Sequence, residues 1–280
     1  MREMERASIG SLELEYELVG TGEPVVLLHW GIGARWAEPL LREPALAGRH
    51  RLLNYHRVGF AGSDRVEGAI SMAEHAEHCS LLLGELGLGS AHVVGHSSSA
   101  LLALQVALDF PEAVQSVVVM EPARPTPPTE VQAEFVREFV QPAVGFYRDG
   151  DHAAAVDRFA TGVFGPEYRA PLERGLPGGF EQALADADAF FGQELPAVQD
   201  WALTAEDAAR IAQPVLAVLG EHTAPAFPER LELLSSWLPN VEHFQLPGAT
   251  HLLHVVSPGG MAEALAAFFA RHSVQNAQVV

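Results

Sequence analysis

Lysine is absent from this 280-residue chain: all 17 basic residues are arginine, set against 36 Asp and Glu for a formal net charge of −19. A phosphate-binding surface needs a basic patch, and none is visible, so nucleic acid is excluded as a partner. The missing lysine reads as the codon bias of a GC-rich genome, and the acidity as solubility. Cysteine is nearly absent too. Cys79 stands alone and cannot close an internal disulfide, which suits a reducing compartment. No apolar run approaches the ~20 residues of a membrane helix. Met1 to Ile9 is charged and lacks the apolar centre of a signal peptide. The expectation is a cytoplasmic protein without a membrane partner.

What is present is apolar material for one large core: 48% of the residues are hydrophobic. Short β-rich runs alternate with longer helical stretches, the pattern of a mostly parallel sheet flanked by helices. Strands are expected at Leu12–Val19, Pro24–Leu28, Arg51–Tyr55, Ala91–Val94 and Val114–Met120, then at Pro214–Leu219 and Val241–Leu246. Helices are expected from about Ser71 to Leu86, directly after Val94, and over Gly259–Arg271. Between Arg124 and Ile211 no strand is visible. Arg124-Pro125-Thr126-Pro127-Pro128 reads as a stiff linker into that stretch. The chain thus divides into a core (1–123 and 212–272), an inserted helical cap (124–211) and a flexible tail (273–280).

Gly95-His96-Ser97-Ser98-Ser99 marks an abrupt strand-to-helix turn with small residues on both sides of Ser97. Such a turn lifts the serine above the sheet edge and aims helix N-terminal N–H groups at any oxyanion formed there. The plain alternative is a serine capping a helix. The pentapeptide resembles the G-x-S-x-G nucleophile elbow of the α/β-hydrolase superfamily, with Ser99 in place of the second glycine. The resemblance runs from about Leu12 to Arg271 outside the insertion, and implies an α/β-hydrolase fold with Ser97 as nucleophile. It also implies a base after the last strand, where Gly248-Ala249-Thr250-His251 stands; His254 is a rival. Leu28-His29-Trp30-Gly31-Ile32-Gly33 resembles the oxyanion loop, which assigns the hole to the N–H groups of Gly31 and Ser98, with Trp30 N–H as a fallback.

The acid is less regular. Many family members carry aspartate where this chain has Thr223, in Gly220-Glu221-His222-Thr223. One subgroup of haloalkane dehalogenases and the fungal zearalenone lactonases instead place a glutamate after the preceding strand, where Glu121 stands. The Gly31-x-Gly33 spacing is also similar to that of the lactonases. Glu121 is therefore read as the acid, with Glu221 as rival and a cap-hinge anchor as the plain alternative.

A serine nucleophile disfavours the alkyl-ester chemistry of the dehalogenases and epoxide hydrolases, which attack with aspartate. The implied activity is hydrolysis of a small hydrophobic ester or lactone without a cofactor. Carbon–carbon bond hydrolysis of a diketone and a non-hydrolytic binding protein are the alternatives. Trp30 and Phe191 are expected to touch substrate, and the small-residue stretch Gly175–Gly179 to let part of the cap move. His75 and His78 share a helical spacing but have no third ligand, so they are read as surface residues and no metal is expected. A homodimer is compatible with this reading.

Overall fold

The computed structural model describes residues 4–123 and 130–273. The proposed linker at Arg124–Pro128 and nearly all of the proposed tail lie outside them. Eight strands form one sheet: β1 (Glu5–Ile9), β2 (Leu12–Val19), β3 (Glu23–Leu28), β4 (His50–Tyr55), β5 (Ala91–His96), β6 (Val114–Met120), β7 (Val215–Gly220) and β8 (Val241–Leu246), in the order β1-β2-β4-β3-β5-β6-β7-β8. The β1–β2 and β2–β4 pairs are antiparallel, and every other pair is parallel. β1 is the one strand not foreseen. Its sequence, Glu-Arg-Ala-Ser-Ile, turns alternate residues to solvent, as an edge strand does.

The central strands are apolar at consecutive positions because helices cover both faces. Val26 and Leu28 of β3 face the helices Met72–Glu85 and Ser98–Asp109, whereas Val25 and Leu27 face Pro258–Arg271. A capping box starts the first of these helices: Ser71 and Glu74 satisfy each other's backbone N–H groups. Between β6 and β7 the described residues form helices only, from Glu130–Phe135 to Ala205–Ala209. Their buried side chains make a third cluster that includes Trp30, Ile32 and Trp36 from the loop after β3. The insertion therefore packs directly on the loop expected to hold an oxyanion. Two of its turns, Val136–Val140 and Phe190–Glu194, are π-helical, a form that frequently accompanies functional sites. Gly175, at the start of the Gly175–Gly179 stretch, packs closely on the loop after β8: a Cβ there would come within 2.1 Å of the Val255 carbonyl. Among the described residues no helix is long and apolar enough to cross a membrane.

The histidines depart from expectation. His75 is buried and not a surface residue, while His78, edge-on to it at 6.1 Å between ring centroids, is half-buried. Burial lowers the pKa of His29, His50, His75, His78, His92, His96 and His254, reaching about 4 for His92 and His254. These rings stay neutral in the fold, while the unfolded chain takes up protons as pH falls below about 6.5. Their contribution is thus complete above pH 6.5 and is lost as pH drops toward 4, on the order of 3 kcal/mol for each of the latter two. The melting temperature should fall steeply between pH 6.5 and 4.5. A flat profile over that range would contradict this account.

Candidate active site

β5 ends in the turn that places Ser97. Its φ of +56° and ψ of −117° lie in a region that strongly favours glycine, and β6 holds it there: Ser97 N–H donates to the Met120 carbonyl at 2.9 Å. Gly95 is required beneath it, since a Cβ would come within 2.1 Å of the Ser99 carbonyl. Ser99 is more than a tolerated substitute for glycine. Its hydroxyl accepts from His96 N–H at 2.9 Å and reaches the Leu28 and His96 carbonyls, both at 2.9 Å, tying the end of β3 to the elbow.

Glu121 follows β6, also at positive φ (+41°), and is fully buried. Its Oε1 accepts from Gly220 N–H at 2.7 Å, and its Oε2 accepts from His251 Nδ1. The carboxylate thus reaches across to the end of β7, the strand after which the commoner acid would stand. Thr223 has a buried hydroxyl with no partner among the described residues, and Glu221 is exposed, its carboxylate accepting from Gly248 N–H at 2.7 Å. Neither meets His251.

The His251 ring is clamped. Phe227 stacks on it at 4.1 Å and 15°, and His96 lies against it at 4.5 Å. His96 accepts from Trp36 Nε1–H at 2.8 Å through Nδ1, and burial, then the nearby His251, holds its pKa well below the usual range. His254 is turned away, its Nε2 donating to the Trp36 carbonyl at 3.0 Å. With Nδ1 of His251 engaged, Nε2 is its proton-accepting nitrogen; it is buried and has no partner, and the Ser97 hydroxyl makes no hydrogen bond among the described residues. Hydrogen bonds between nucleophile and base are often formed only once substrate arrives. His96, Glu121 and His251 are also the one cluster of described residues with metal-ligand spacing, within 4.8 Å, but their Nδ1 atoms and carboxylate are already engaged with one another and with Trp36 and Gly220.

Ser97 and Ser98 open into a cavity of about 380 Å³ between sheet and insertion, walled by Trp30, Phe135, Phe159, Val163, Phe190 and Phe227 among others. Trp30 lies where expected. Phe191 does not: it stacks on Tyr147 at 5.2 Å, and its neighbour Phe190 faces the cavity instead. The π-turn at Phe190–Glu194 shifts the helical phase there, which no spacing rule discloses. The expected oxyanion loop also carries a surprise, because Gly31 N–H donates to Ser98 Oγ at 3.0 Å. Sequence reasoning passed over Arg57 and Glu194 as well. They form a buried two-pronged ion pair at 2.5 and 3.1 Å between the loop after β4 and the insertion.

Three similarities place this arrangement among known proteins. RutD of Azorhizobium caulinodans, named for carbamate hydrolysis, is 34% identical over 112 residues, 40% of this chain and only 42% of that protein. The 2-(acetamidomethylene)succinate hydrolase of Mesorhizobium japonicum is 27% identical over 270 residues, 90% of each chain. A thermophilic esterase from Thermogutta terrifontis shares the fold at a TM-score of 0.80 and 18% identity, over 97% of this chain and 100% of its own. The profile of the alpha/beta hydrolase fold family matches residues 23–258. On that match, which takes in the elbow at Ser97, Glu121 and His251 together, the chain belongs to the alpha/beta hydrolase fold family.

Proposed function

We propose that the chain is a serine hydrolase that cleaves a hydrophobic carboxylic ester or lactone through an acyl-enzyme on Ser97. The observation that carries this reading is the Glu121–His251 hydrogen bond beside a strained Ser97 that opens into an apolar cavity. His251 Nε2 takes the Ser97 proton as Oγ attacks the carbonyl carbon. Glu121 holds the ring in the tautomer that leaves Nε2 free to accept, and stabilises the imidazolium that results. As the tetrahedral adduct collapses, the leaving alkoxide receives that proton. Water then repeats the sequence and releases the acid.

The cavity's aromatic wall supports an apolar acyl or alcohol part, and the helical insertion acts as a cap that keeps bulk water from the acyl-enzyme. Glu121 and the Gly31-x-Gly33 loop favour lactones within that class, by their likeness to the zearalenone lactonases. Relatives named for a carbamate and for an acetamido-substituted succinate keep acyl groups on nitrogen within the same acyl-transfer chemistry.

The test is direct. A fluorophosphonate should label the protein on the peptide containing Ser97, and p-nitrophenyl butyrate should give a burst of nitrophenol equal to the labelled fraction. Labelling without any ester or lactone turnover would favour the carbon–carbon alternative. A protein inert to both reagents would be a binding member of the fold.

A further inference from the structure

Ser98 touches the site in two ways. Its N–H is among the unsatisfied donors at the start of the helix Ser98–Asp109. Its side chain lies in the cavity wall beside Ser97, 5% exposed, with Oγ accepting from Gly31 N–H. A hydroxyl that accepts one hydrogen bond still has a hydrogen to give. Among the described residues no acceptor takes it.

Gly31 N–H is held to that oxygen from behind. The Trp30 carbonyl, at the other side of the same peptide, accepts from His29 Nδ1–H at 3.0 Å and from Gly33 N–H at 3.3 Å. In a planar trans peptide the carbonyl and the N–H point in opposite directions, so fixing one fixes the other. His29 is fixed in turn, its Nε2 accepting from Arg57 N–H at 3.0 Å while the Arg57 guanidinium reaches the His29 carbonyl at 3.3 Å. Glu194 anchors that guanidinium from the insertion. The space around Gly31 is also closed: a Cβ there would come within 2.8 Å of Glu194 Cγ and of the Phe190 ring. A peptide flip would break both bonds to the Trp30 carbonyl.

We infer that the Ser98 hydroxyl is the second oxyanion donor, standing between Gly31 N–H and the substrate carbonyl. The inference rests on Ser97 as nucleophile. No proton is transferred at Ser98. Its O–H bonds the carbonyl oxygen, and that bond strengthens as the oxygen becomes negative in the tetrahedral adduct. Gly31 N–H, donating to the same Oγ, polarises the O–H further, since linked hydrogen bonds reinforce one another. His29, Arg57 and Glu194 are positioning residues for that pair. A rival role for Ser98 is a plug that occupies Gly31 N–H at rest and swings aside when the carbonyl arrives. The two roles predict opposite responses to the same change.

The experiment is Ser98→Ala, assayed with p-nitrophenyl butyrate and with butylboronic acid, which forms a tetrahedral adduct on a serine. A donor role predicts a fall in kcat of about 10²–10³ with little change in KM, as when one oxyanion donor is removed. The boronate inhibition constant should rise by the same factor. Ser98→Thr keeps the hydroxyl and should recover most of both. A plug predicts that Ser98→Ala keeps or raises kcat, and that result overturns the inference. A loss of kcat without loss of boronate affinity also overturns it, because a true donor serves both adducts. Should Ser98→Ala melt well below the parent, the kcat of Ser98→Thr relative to Ser98→Cys, a near-isostere with a weaker donor, decides in its place; equal values refute the donor role. If the parent protein itself resists fluorophosphonate, the fault lies with Ser97 as nucleophile. If the parent is labelled and Ser98→Ala is fully active, only the role of Ser98 fails.

Discussion

Ser97→Ala is expected to lower ester turnover by about six powers of ten, the scale seen when a serine nucleophile is removed from a triad. Fluorophosphonate labelling should vanish with it. Stability should barely change, because the strained backbone at φ +56° is imposed by β5, β6 and the following helix, and alanine is strained there as serine is. Glycine is not. Ser97→Gly should be equally inactive and melt higher, by about 1–3 kcal/mol of relieved strain. Activity assays and thermal melts of the two variants give the check. Substantial turnover in pure Ser97→Ala would remove Ser97 from the mechanism.

Glu121→Gln should lower turnover by about 10⁴, and the hydrogen-bond geometry says why. The carboxylate has two acceptor oxygens, one for Gly220 N–H and one for His251 Nδ1–H. Glutamine has only one. If its oxygen stays with Gly220, its NH₂ faces His251 and forces Nδ1 to accept, which moves the imidazole hydrogen to Nε2. That nitrogen can then no longer take the Ser97 proton. If the amide turns over, a buried N–H at Gly220 is left opposite another donor, at a cost of about 1–3 kcal/mol. Glu221→Gln should be nearly silent, since that carboxylate is exposed and bonds Gly248. Near-normal turnover in Glu121→Gln, or damage from Glu221→Gln, would reassign the acid.

Much of the sheet was legible: the central strands, β6 among them, are buried and stand out as apolar runs, while β2 and β8, nearer the edges, span the residues expected of them without being buried on both faces. β1 was hidden because an edge strand needs only alternate apolar residues, and Glu5 and Arg6 masked those. The place of Ser97 on a strand-to-helix turn was legible from local spacing, and the threonine at 223 directed attention to Glu121 after β6. Contacts between residues that belong to no motif were not legible. Arg57 and Glu194 lie 137 positions apart, and nothing in either segment points to the other. Phe190 and Phe191 were indistinguishable until a π-turn decided which one faces the cavity. Sequence reasoning assigned a role to the Ser98 N–H and none to its hydroxyl, because the hydroxyl's contact with Gly31 depends on how two loops meet.

The Arg57–Glu194 pair also bears on how freely this fold can exchange its insertion for another. Grafting a foreign helical segment between β6 and β7 would remove Glu194 and leave the guanidinium at 57 buried without its carboxylate, a mismatch of about 3–5 kcal/mol. Moving residues 130–209 onto another scaffold strands the carboxylate in the same way. A chimera that changes position 57 together with the insertion, to methionine or leucine for instance, avoids that penalty, because a well-packed apolar replacement of both charges is often neutral. For recombination the exchangeable unit is therefore the insertion plus one residue of the loop after β4, two segments far apart in the chain that have to be inherited together.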